Sequence, residues 1–135
     1  MQPDINLFSV FIAAVAAMAV GAIWYAPGVL GKKWMQLAKV KPNDINKKAA
    51  NRAMAMNFLA LLVMAYVLAI IVSFYEATTF SAGVLVGCIV WLGFIVTYGL
   101  SEYVYYNRPL NLFVFNMSYH LISVALMGGI LAAWS

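Results

Sequence analysis

Charged and apolar positions alternate along this chain in long blocks. Four stretches contain no Asp, Glu, Lys or Arg: Ile5 to Tyr25, Ala53 to Tyr75, Ala77 to Ser101 and Pro109 to Ser135, of 21, 23, 25 and 27 residues. A helix needs about 20 apolar residues to cross the hydrocarbon layer of a bilayer. Each block therefore suffices for one crossing and none for two. The apolar runs are continuous rather than alternating, which argues for helices over a membrane barrel. The pattern predicts an all-α, four-helix integral membrane bundle forming a single domain over 1–135. Its helices are expected at about 5–26, 45–75, 81–103 and 111–134, with a basic loop over 27–53.

Helix signals sharpen these boundaries. Asp4 is an N-cap candidate for the first helix, Asn43 or Asp44 for the second and Ser81 for the third. Trp24-Tyr25 followed by Pro27-Gly28 reads as an interfacial aromatic pair and a helix stop. In the long first connection, Leu30, Trp34, Leu37 and Ala38 recur at helical spacing beside Lys32, Lys33 and Lys39. That pattern predicts a short amphipathic helix on the membrane surface, broken at Pro42.

Composition agrees and removes alternatives. The chain has 135 residues, 66% hydrophobic and 9% charged, with a mean hydropathy of +0.92. So little charge cannot cover the surface of a soluble domain, and so much apolar surface cannot stay solvated in a disordered chain. Cys88 is the single cysteine, which excludes a disulfide framework and Cys-rich zinc sites.

The net charge is +4, and its placement sets an orientation. Lys32, Lys33, Lys39, Lys41, Lys47, Lys48, Arg52 and Arg108 all fall in the first and third connections. By the positive-inside rule that side is cytoplasmic and both termini lie outside. The lysines are expected to meet anionic headgroups of membrane lipids. No basic soluble domain is present to bind nucleic acid. The first helix lacks a basic n-region and is followed by basic residues, so it is expected to be retained rather than cleaved.

Small residues recur at four-residue spacing: Ala13, Ala17 and Gly21; Gly83 and Gly87; Ala125, Gly129 and Ala133. Such ridges allow close helix approach, within the bundle or in a homo-oligomer. Polar residues at membrane depth are few. Asn116, His120, Ser123 and Met127 share one face of the fourth helix, with Tyr119 beside it. His120 falls about 13 Å from that helix's start at a rise of about 1.5 Å per residue. On the third helix, Trp91, Tyr98, Glu102 and Tyr105 share a face. Asn57 lies about one turn inside the boundary of the second.

These positions predict a polar cluster of Asn57, Tyr98, Glu102, Asn116, Tyr119 and His120 as the ligand-binding candidate. Each has a structural alternative. Asn57, Asn116, Ser118 and Ser123 also suit interhelical hydrogen bonding. Glu102 also suits a helix end, paired with Arg108. A mid-membrane histidine faces a bundle interior and marks either a site or a hydrogen-bonded core ring.

Other chemistry finds no footing. A lone His without a second ligand at the right spacing makes no metal site. No Gly-rich phosphate loop follows a strand, and no serine sits in a nucleophile-elbow pattern. No cofactor and no catalytic residue is expected.

The run Trp24-Tyr25-Ala26-Pro27-Gly28-Val29-Leu30-Gly31-Lys32-Lys33-Trp34-Met35 resembles the bacterial membrane proteins grouped as domain of unknown function 1761. In that family the first helix ends in a Trp-Tyr-x-Pro, hydrophobic, Gly-Lys, Trp-Met run. Trp24, Tyr25, Pro27, Lys32, Lys33 and Trp34 match it as an interfacial motif, and Leu30 stands where the family usually has Phe. The size, four-helix layout and Asn116 to Tyr119 stretch agree. The resemblance implies a fold, a bacterial inner-membrane location and little mechanism.

Three functions compete. The first is non-enzymatic binding of a lipophilic small molecule or lipid in a polar-lined cleft of the cytoplasmic half. The second is a small oligomeric transporter or channel with His120 as relay. The third is a membrane enzyme of the thiol-conjugating type, whose Arg-Ala-His-x-Asn-x-x-Glu motif is matched only in part at Arg52-Ala53-Met54-Ala55-Met56-Asn57. The first is the reading adopted.

Overall fold

The structure, a computed structural model, describes residues 5–24, 33, 35–36, 47–107 and 109–134. It contains four long helices: α1 Leu7–Trp24, α2 Lys47–Phe74, α3 Phe80–Tyr105 and α4 Leu110–Ala133. Each is long and apolar enough to cross a membrane. Among the described residues there is no strand. The expected surface helix around Leu30 to Ala38 falls largely outside the described residues, as do Tyr25, Pro27, Lys32, Trp34 and Arg108.

Local chemistry sets the helix ends. Asn6 caps α1: its Oδ1 accepts from the backbone N–H of Phe8 at 3.0 Å and of Ser9 at 3.4 Å, while Asp4 lies outside the described residues. Thr79, not Ser81, caps α3, accepting from the Ala82 N–H at 3.2 Å. In each case the capping side chain satisfies an orphan first-turn donor. Helix α2 ends in a reciprocal pair of backbone bonds, Ala77 N–H to Val72 O and Glu76 N–H to Ser73 O, both at 3.1 Å. This closure needs a left-handed residue between them, and Glu76 takes φ 57°.

The four helices run alternately up and down. Phe8 at the start of α1 meets Trp134 just beyond α4, and Trp24 at the end of α1 meets Phe115 near the start of α4, each with ring centroids 5.5 Å apart. The ends carrying Trp24, Lys48, Arg52 and Tyr105 therefore lie together as the basic end. Helix α4 is central. It packs on α3 most extensively, then on α1 and α2, whereas α3 has little contact with α2. Accordingly 44% of an apolar 18-residue stretch of α4 is buried, against 17% of the corresponding stretch of α3.

Small residues make the tightest contact. A Cβ on Gly83 would strike the Gly128 carbonyl, and one on Gly87 would lie 2.6 Å from the Val124 carbonyl. The backbones of α3 and α4 touch there, as lipid-phase packing favours. Gly128 is thus the partner of Gly83, while Gly129 faces the Phe80 ring.

Helix α3 is not uniform: Trp91–Val96 is π-helical. A π turn takes in one extra residue and so turns everything beyond it by about 100° relative to an α-helix. The residues that follow the packed row of Gly83, Gly87 and Trp91 become Ile95, Gly99 and Tyr103. Each of these six is buried or half-buried.

Candidate functional site

The residues of the site come from three helices. On α2, Met54, Asn57, Leu61 and Met64 fall at helical spacing on one face. On α4, Tyr119, His120, Ser123 and Val124 do the same. On α1, Met18, Gly21 and Ala22 supply the third wall. These elements line a partly open cavity of about 570 Å³, in the half of the bundle nearer the basic end. Its size is that of a small-molecule site, and its walls are mostly apolar with a few polar groups.

Gly21 explains how α4 reaches across to α1. A Cβ on Gly21 would lie 3.0 Å from the Tyr119 hydroxyl, so glycine lets the phenol lie against the α1 backbone. Tyr119 is buried and hydrogen-bonds with Ser123 one turn on. The His120 ring leans on the Tyr119 ring with centroids 4.9 Å apart. His120 is half-buried and lines the cavity. Across from it, Asn57 Nδ2 donates to Met18 Sδ at 3.8 Å. The polar inventory is thus an amide, a phenol, an imidazole and a hydroxyl. No Asp, Glu, Lys or Arg occurs among the described lining residues. Three methionines, Met18, Met54 and Met64, give walls that adapt to an occupant's shape.

Of the six residues expected to cluster, the structure brings Asn57, Tyr119 and His120 to the cavity. Asn116 lies one turn away and is committed to α3: its Nδ2 donates to the Tyr103 hydroxyl at 2.6 Å. Tyr98 and Glu102 are not in the cluster. Tyr98 is 70% exposed and Glu102 is exposed. The π segment is the reason, since it rotates them outward and turns Tyr103 toward α4 in their place. Tyr103 also meets Phe113 edge-on, with centroids 4.9 Å apart.

Sequence reasoning missed Tyr103 and the methionine walls. The signal for Tyr103 was the four-residue row from Gly83 to Tyr103, which an α-helical wheel spreads around the helix and a π turn realigns. The methionines carry no sequence signal beyond apolarity. Of the interfacial motif, Trp24 closes α1 against Phe115, and its indole Nε1 is buried with no hydrogen-bond partner among the described residues. Lys33 is exposed.

Among the described residues no group of three or more His, Cys, Asp and Glu side chains converges. Cys88 is a free, half-buried thiol on α3. The arrangement therefore offers hydrogen bonds and apolar contact rather than metal ligation.

Comparison with known proteins gives a family and nothing beyond it. The profile of a family described as protein of unknown function (DUF1761) matches residues 8–132. Neither the curated proteins nor the solved structures contain a match.

Proposed function

The chain belongs to the DUF1761 family of proteins of unknown function, and from that premise we propose that it is a multi-pass membrane protein that binds a lipophilic small molecule or lipid. The observation that carries this reading is the cavity of about 570 Å³ where Asn57, Tyr119, His120 and Ser123 converge among apolar walls. In lipid no water supplies hydrogen bonds, so polar side chains on an otherwise apolar wall offer a ligand contacts that the hydrocarbon does not. A ligand with matching donors and acceptors gains both those bonds and the apolar contact.

In this reading the basic end, with Lys48 and Arg52, faces the cytoplasm and meets anionic headgroups, and both termini face outward. The membrane is the inner membrane of a bacterium, as the family resemblance implies.

The test is retention of small molecules through purification. Protein extracted into nanodiscs is analysed by native mass spectrometry, wild type beside Ala60→Phe. Ala60 lines the cavity from the exposed side of α2, so a phenyl ring plugs the site without entering the core. A bound species that falls at least tenfold in the variant supports binding. The same species retained equally in both overturns it.

A transport reading draws on one observation, the placement of His120 on the cavity wall without a hydrogen-bond partner among the described residues. Proton flux into proteoliposomes that disappears in His120→Ala would support it, and flux unchanged in that variant would remove His120 from any relay.

A further inference from the structure

The cavity does not end at its polar wall. A second, apolar hollow of about 270 Å³ lies along Val67, Leu68 and Ile71 of α2, facing Val90 of α3. Met64 and Val124 border both spaces. The two spaces therefore adjoin along a line that leads away from the basic end. The hollow exists because α3 packs on α4 and barely touches α2. Its walls carry no polar side chain among the described residues. Chemistry thus changes along this line, from four hydrogen-bonding side chains at one end to hydrocarbon at the other.

We propose that the occupant is a single-tailed amphiphile with an uncharged, hydrogen-bonding head, its head against Asn57, Tyr119 and Ser123 and its tail in the groove between α2 and α3. The proposal rests on the binding reading above and adds the ligand's class. An uncharged head follows from the lining. An ionised group leaving water needs a counter-charge, and the described lining residues provide none. Hydroxyl, ester or amide groups, by contrast, match an amide, a phenol and a hydroxyl. One tail matches the one groove that adjoins the cavity among the described residues. The methionines at the junction, Met64 above all, accommodate tails of differing length and unsaturation.

The experiment uses the full chain in nanodiscs of dioleoylphosphatidylcholine. These are doped in turn with 1-oleoylglycerol or with oleoyl lysophosphatidylcholine, which has the same tail and a zwitterionic head bearing two ionised groups. Bound copies are counted by native mass spectrometry. Three variants accompany the wild type: Ala60→Phe at the polar cavity, Val67→Trp in the groove, and Val104→Trp on the outer face of α3 as a control. All three positions are exposed on their helices, so the added bulk does not enter the core. The expected result is retention of 1-oleoylglycerol at least tenfold above the lysolipid. That retention should fall at least tenfold in Ala60→Phe and in Val67→Trp, and be unchanged in Val104→Trp.

Equal retention of the two probes overturns the uncharged head. Undiminished retention in Val67→Trp, with loss in Ala60→Phe, overturns the tail placement and leaves the binding reading standing. Retention unaffected by Ala60→Phe overturns the binding reading itself.

Discussion

Asn116 of α4 and Tyr103 of α3 share a hydrogen bond of 2.6 Å, amide to phenol hydroxyl, near the basic end of the bundle. The pair exists because the π segment turns Tyr103, and not Tyr98, toward α4. A double-mutant cycle of Asn116→Ala with Tyr103→Phe should return a coupling of about 0.6 to 1.7 kcal/mol, the range for polar pairs in a membrane bundle. The same cycle with Tyr98→Phe should return none, because Tyr98 is exposed. Unfolding in mixed micelles measures both. Equal couplings would place the two tyrosines on the same face and refute the rotation.

The entrance to the π segment is held by a second bond. Trp91 Nε1 donates to the Met117 carbonyl at 2.8 Å. Trp91→Phe keeps most of the ring and removes the donor. We expect a loss of about 1 kcal/mol, typical of one hydrogen bond. Stability unchanged by Trp91→Phe would show that the bond contributes nothing net.

Two glycines of α3 should respond oppositely to alanine. At Gly83 an added methyl strikes the Gly128 carbonyl and Ala132, whereas at Gly93 nothing lies within 4 Å. Gly83→Ala should cost about 1 to 3 kcal/mol, the range for overpacking. Gly93→Ala should be neutral or stabilising by up to about 1 kcal/mol, because alanine loses less backbone entropy in a helix. A Gly83→Ala protein as stable as wild type would mean that α3 and α4 do not approach as described.

The closing turn of α2 carries strain at one residue. Glu76 sits at φ 57°, where a side chain meets the following carbonyl. Glu76→Gly should raise stability by about 1 kcal/mol, whereas Glu76→Val should lower it, β-branched residues being the worst at positive φ. Thermal unfolding followed by circular dichroism tests the order Gly, Glu, Val.

The sequence by itself determined the number and kind of helices. Twelve charges are excluded from four runs, and a bilayer translates the length of each run into a crossing. That inference needs no knowledge of neighbours, which is why it survives contact with the structure. The caps were legible less well. Ser81 is a good cap residue by type, yet Thr79 holds the position where α3 begins. Several polar residues within a few positions can each serve, and the helix start chooses among them.

The site was legible in half. Asn57, Tyr119 and His120 were reachable because α2 and α4 are regular over the positions that matter, so residues three, four and seven apart keep to one face. Tyr98 and Glu102 were placed on that logic too, and only the tertiary structure decided against them. A single π segment shifts the phase of α3 by about one residue, and the 2.8 Å bond from Trp91 to α4 lies where it begins. The cavity was beyond sequence altogether. It is the space left where three helices meet and α3 leans away from α2, and the size of a gap depends on every side chain around it rather than on any one.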